Sequence, residues 1–192
     1  MTRNTAPQNG SSVEQVAQQL GCPDVTEVAR AVADHADTVL DCEYDRAVLT
    51  VAAFRLAATR GRHGSFDLEA ACREFSVEPA DVTRAKATLS ATLQPPADEG
   101  EIRTLRRAVI TLREIHAMIE AGRTNAPSRP GSSLEGLDPA LASLLEQPLD
   151  RIDQATLETH IERLEADLEM ARLGTELYAL VHPAEEGGCT EQ

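Results

Sequence analysis

The chain has 192 residues, a formal net charge of −14 and an apolar fraction of 42%, with aromatics at 3% and no tryptophan. That length and apolarity allow a real core, and one drawn from Ala, Leu, Val and Ile suits helices better than a sheet, where β-branched and aromatic residues lead. The charge counts against nucleic acid as a simple electrostatic partner, because residues 1–94 carry 13 acids against 9 bases and residues 95–192 carry 19 against 9, so either half alone repels a phosphate backbone.

Lys86 is the sole lysine among the 18 bases. Arginine usage with excess acid fits a GC-rich genome or a salt-rich cytoplasm, where repulsion is screened within ~3 Å at 1 M salt. Cys22, Cys42, Cys72 and Cys189 show no CxxC pairing, and are read as reduced thiols of a cytosolic protein rather than as a disulfide or metal set. The N-terminus lacks an apolar signal core and no run approaches the ~20 apolar residues of a membrane span, so a soluble, cytoplasmic protein is expected.

In chain order, residues 1–10 read as a polar, disordered tail. Ser11 with Glu14 is a capping-box signature, and Val13, Val16, Ala17 and Leu20 form one stripe until Gly21 and Pro23 stop it. Asp24 with Glu27 repeats the cap signature before a second amphipathic helix bearing Val25, Val28, Ala29, Val32, Ala36, Val39 and Leu40. From Tyr44 to Arg60 the sequence YDRAVLTVAAFRLAATR is apolar on nearly every side. A helix of that kind must be surrounded, and its alanines let neighbouring helices approach closely.

Gly61 to Gly64 make the next break, and Ser65 is the expected N-cap of a fourth helix with Leu68, Ala71, Cys72 and Phe75 inside. A tight turn through Ser76 and Val77 leads to Glu78-Pro79 and a fifth helix bearing Val82, Ala85, Leu89 and Leu93. Gln94 to Gly100 is a stiff, helix-breaking linker. Beyond it Ile102, Leu105, Val109, Leu112, His116 and Ile119 form a seam of about three heptads ending at Gly122. Residues 123–136 read as a flexible loop, and Asp138-Pro139 starts a short helix with Leu141, Leu144 and Leu145. One long last helix is expected from about Gln154 to Val181, with Leu157, Ile161, Leu164, Leu168, Ala171 and Tyr178 on its seam and Gly174 weakening it by about 1 kcal/mol. It should pair with the 102–121 helix as an antiparallel hairpin or else form a dimerising coiled coil.

The segment from Val13 to Glu99 carries VEQVAQQLGCPDVTEVARAVADHAD, then AVLTVAAFRLAATRG, then SFDLEAACREFSVEPADVTRAKATLSATLQPPADE. It resembles a single cyclin-like repeat of archaeal and eukaryotic transcription factor B. In that family an Ala-rich central helix ends in an Ala-x-Arg type motif followed by a Gly turn, matched here by AVLTVAAFRLAATRG with Arg60 and Gly61 at its close. No Cys/His zinc ribbon and no second repeat is recognisable. The resemblance implies a cyclin-box-like five-helix domain at 11–94. The composition and periodicity beyond it add a linker at 95–101, a helical hairpin or coiled coil at 102–182 and an acidic tail at 183–192, all within an all-α fold. The resemblance also implies a partner in the transcription machinery, with Arg60, Arg62, Arg84 and Lys86 as the positions that would touch DNA or an acidic partner.

Each basic group has a plainer role to set beside that one. Arg55, Arg60, Arg62 and His63 near a helix C-terminus complement its dipole, and Arg84 and Lys86 lie beside Asp81 and Glu78 as solvated charges do. Arg103, Arg106, Arg107 and Arg113 are expected to pair with Glu158, Glu162, Glu165 or Asp167 on the facing helix. His35, His63, His116 and His160 lack metal-ligand spacing, and no nucleophile with a base, phosphate loop or isolated carboxylate pair appears. The expectation is therefore a protein without metal, cofactor or catalysis. It would bind a component of the transcription machinery, with or without weak DNA contact. The alternative is a protein-interaction or scaffolding module with no nucleic-acid role, dimerising through Ile102, Leu105, Val109, Leu112, Leu157, Ile161, Leu164 and Leu168.

Overall fold

In a computed structural model the described residues are 13–40, 44–61, 66–122, 141 and 147–183, and every regular element among them is helical. The protein is all-α in those residues, with α1 at Val13–Gln19, α2 at Thr26–Val39, α3 at Arg46–Arg60, α4 at Leu68–Phe75 and α5 at Pro79–Thr92. They are followed by α6 at Glu99–Glu120, α7 at Gln154–Leu173 and α8 at Thr175–Val181. The expected terminal tails, the loop at 123–136, the Ser11 and Ser65 caps, Leu144, Leu145, His63, Cys42 and Cys189 lie outside the described residues.

Two compact units divide the chain, one of Met1–Pro95 with Leu173–Gln192 and the other of Pro96–Arg172. In the first, α3 is buried over most of its surface, through Val48, Leu49, Val51, Ala52, Ala53, Phe54, Leu56, Ala57, Ala58 and Arg60, with Arg46 and Thr59 exposed. Asp45 caps it by accepting from the Ala47 amide at 3.0 Å, which satisfies one of the donors a helix start leaves open. Its small side chains admit α2 and α5 closely, with α4 also against it. The facing stripes are Val28, Ala29, Val32 and Ala36 on α2 and Val82, Ala85 and Leu89 on α5. Tyr44 Oη and Thr88 Oγ1 lie 3.1 Å apart, and His35 Nε2 and Thr92 Oγ1 3.3 Å apart, adding polar ties to α5.

Three boundaries differ from expectation. A 3₁₀ turn at Pro23–Val25 precedes α2, which starts at Thr26 with Val25 in the N-cap position that the sequence pattern gives to Asp24. Val39 is 45% exposed and Leu40 takes the buried place. Helix α4 is capped by Asp67 in place of the expected Ser65, its carboxylate accepting from the Ala70 amide at 2.9 Å. Helix α6 begins inside the expected linker, because the Asp98 carboxylate accepts from the amides of Gly100 and Glu101 and so starts the helix at Glu99.

The α4–α5 turn is closed by a left-handed Ser76 at φ 52. The amide of Ser76 donates to Arg73 O, and that of Val77 to Cys72 O at 3.0 Å, the paired bonds with which many helices end. Gly21 at φ 65 ends α1 in the same way, its following amide at Cys22 donating to Ala17 O.

The largest departure is at the C-terminus. The expected helix from Gln154 to Val181 is two helices, broken at Gly174 with φ +81. Leu173 and Leu177 join the core of the first unit, and Tyr178 packs partly against it, so the Tyr178 seam position is corrected to the first unit's core. Helix α8 lies against α2.

In the second unit α6 and α7 run antiparallel, since Ala97 N donates to Ala171 O at 2.8 Å near one end and His116 Nε2 lies 2.9 Å from Glu158 Oε1 near the other. Asp153 caps α7, accepting from the amide and hydroxyl of Thr156 at 3.0 and 2.6 Å. Those bonds hold its carboxyl below the usual carboxylate range.

Candidate functional site

Of the four expected contact residues, Arg60 is placed furthest from expectation. It is the last residue of α3, only 6% exposed, and its Nη1 donates to Leu173 O at 2.8 Å. Burial pushes its guanidinium below the ordinary arginine range, and the Glu176 carboxylate partly offsets this. A charge committed to a buried carbonyl is not available to DNA, so the surface role expected of Arg60 is corrected to an internal one. Arg62 lies outside the described residues.

Arg84 is exposed on α5 and forms an ion pair and hydrogen bond with Asp81 one turn earlier. That bond and charge raise its pKa above the ordinary arginine range. Lys86 is half-buried on the same helix. Burial first, then the charges of Arg55 and Arg60, push its ammonium below the ordinary lysine value. Arg55 is itself held on this side of the unit by donation from Nη1 to Thr83 Oγ1 at 2.8 Å. The group brought together is thus Arg55, Arg60 and Lys86, with Arg84 neutralised locally by Asp81. Arg55 and Lys86 are the members left at the surface.

Beside the α4–α5 turn an open depression of about 590 Å³ is lined by Glu69, Cys72, Arg73, Ser76, Val77, Glu78 and Pro79. Its charges are mixed, and Cys72 is a free, buried thiol whose pKa is raised by burial, with Arg55 lowering it and Glu78 raising it. No nucleophile–base pairing is among the bonds described there. Among the described residues no group of three or more His, Cys, Asp or Glu is placed to hold a metal ion. No described helix is long and apolar enough to cross a membrane.

The expected seam is assembled within the second unit. Leu105, Val109, Leu112, Leu157, Leu164 and Leu168 are buried in one cluster, with Ile102 and Ile161 packed partly against it. Their apolar faces pack on one another within the unit. Around them Arg113 Nη2 lies 2.5 Å from Glu165 Oε1 as an ion pair, an oxygen that makes no aligned hydrogen bond. His116 is engaged by Glu158, by Gln154 at 3.3 Å and by Glu120 at 3.7 Å.

No protein-family model, no curated protein and no solved structure matches the chain.

Proposed function

We propose that the protein is a non-catalytic binding module whose first unit is a single cyclin-like repeat and whose partner is a protein of the transcription machinery. The observation that supports this reading is the arrangement around α3. An alanine-rich helix, buried over most of its surface, is packed between α2 and α5 with α4 alongside, in the helix order that the resemblance to transcription factor B implies. The α6–α7 pair of the second unit serves in this reading as an appended helical element, of hairpin or coiled-coil type.

Contact with a protein is favoured over contact with DNA. Arg60 is buried and Arg84 is paired with Asp81, which leaves Lys86 and Arg55 as a small cationic patch on a chain of net charge −14. Sequence-independent DNA binding draws on several phosphate contacts at once. A patch of two or three cations suits a carboxylate-bearing protein surface better, by charge complementarity. The same observation supports a second reading, an interaction or scaffolding module with no nucleic-acid role.

Mobility-shift and pull-down experiments with the full chain, run at matched low and high salt, test these readings. Retention of a transcription protein without a DNA shift supports the first. Retention of neither DNA nor any transcription protein removes it and leaves the second.

A further inference from the structure

The break between α7 and α8 exchanges one set of backbone partners for another. A continuous helix would give the carbonyl of Ala171 to the amide of Thr175, and that of Leu173 to the amide of Leu177. Instead Ala171 O accepts from Ala97 N, and Leu173 O accepts from Arg60 Nη1, each at 2.8 Å. The Gln94 amide in turn donates to Glu176 Oε2 at 3.1 Å. The two carbonyls can therefore be satisfied in two ways, by a broken helix held with long-range bonds or by a straight one held with local bonds.

Glycine at 174 holds this choice open. Its φ of +81 with ψ 148 lies where L side chains rarely go. A Cβ there would stand 2.6 Å from Gln94 O and 3.1 Å from Pro95 O, both backbone atoms. The sequence on either side favours the straight form, since Leu164, Leu168, Ala171 and Tyr178 keep helical spacing through the glycine. Straightening would carry Leu177, fully buried among the core residues of the first unit, out of its place and leave an apolar groove against α2 empty.

The segment that fits that groove is already known from the structure, because α8 itself fills it with Leu177, Tyr178 and Val181. A second copy of the chain offers the identical helix with the identical spacing. A one-residue connection at a glycine, too short to let α8 move independently of α7 without re-forming the helix, is also the kind of hinge that invites exchange of a terminal element. We propose that α8 is exchanged reciprocally between two copies, pivoting at Gly174, to give a swapped dimer in which each groove holds the partner's α8. This inference does not rest on the transcription reading, and either can fail without the other.

The test uses the full chain, with light scattering to measure mass. Gly174→Ala, which penalises the broken form and favours the helix, is expected to move the monomer–dimer midpoint to lower concentration by a factor of about ten or more. Wild type refolded from denaturant is expected to give more dimer at high chain concentration than at low, and to hold that dimer on dilution. To show what is exchanged, light and isotopically heavy chains are refolded together and joined by a carboxylate-reactive crosslinker. Links between α2 and α8 in the dimer fraction should include mixed-isotope pairs. A dimer whose α2–α8 links are all of one isotope overturns the proposal, as does a wild-type chain that stays monomeric at every refolding concentration. If Gly174→Ala does not fold, the wild-type series decides the matter alone.

Discussion

The guanidinium of Arg60 holds the carbonyl of Leu173 at 2.8 Å across 113 positions of sequence. That carbonyl is one of the last four of α7, which no amide of the same helix can reach once Gly174 breaks it. The end of the buried helix α3 and the return of the chain into the first unit are thus tied by one charged hydrogen bond. Arg60→Met keeps the apolar stem and removes the donor, leaving a buried carbonyl without its partner. The expected loss of unfolding free energy is about 1.5–3 kcal/mol. Urea denaturation should show a lower midpoint at unchanged slope.

Lys86 gives the account a pH dependence. Burial, Arg55 and Arg60 make its folded pKa lower than its unfolded one, so between the two values the unfolded chain binds more protons and stability rises with pH. Below that window the ammonium is a constant burden on the folded state. Lys86→Met should therefore stabilise the chain at neutral pH. Its advantage should shrink as the pH is raised toward the ordinary lysine value of about 10.4. Urea midpoints of the two proteins at neutral and alkaline pH check this, and a gap that widens with pH would contradict it.

Ser76 sits at φ 52, ψ 42 at the C-terminal end of α4, where its amide and that of Val77 close the helix. A left-handed conformation costs an L residue roughly 1–2 kcal/mol, and glycine avoids this at some entropic cost in the unfolded chain. Ser76→Gly is expected to raise stability by about 1 kcal/mol, read as a rise in melting temperature. The same change at exposed Thr83 should lower stability, because Thr83 is inside α5 and accepts from Arg55.

Much of the first unit could be read from the chain because its signals are local. Pro79 at a helix start, the Val82, Ala85, Leu89 and Leu93 stripe, and a stretch from 44 to 60 that is apolar on nearly every side each specify an element without reference to anything distant. Gly174 was different. The periodicity from Leu157 to Tyr178 runs through it, and a glycine inside a helix signals only a modest penalty. What decides the break is non-local: Arg60 and Ala97 take the carbonyls, and the Gln94 backbone leaves no room for a Cβ.

The candidate contact residues show the same division. An arginine at a helix C-terminus reads as a dipole partner or a surface contact, and nothing within ten residues of Arg60 announces that a carbonyl from the C-terminal part of the chain will meet it. The pairing of Arg84 with Asp81, three positions earlier, was by contrast open to view in the sequence.

The central claim is that the terminal helix belongs to the core built around α3, and Leu177 tests it most directly. Leu177 is 0% exposed and Leu180, one turn on, is 42% exposed. Leu177→Ala should cost about 2–5 kcal/mol, accelerating hydrogen exchange of the most protected α3 amides roughly 30-fold or more. Leu180→Ala should leave those amides nearly unchanged. Protection of α3 that is the same in Leu177→Ala as in the wild type, with the acceleration confined to α6 and α7, would contradict the account.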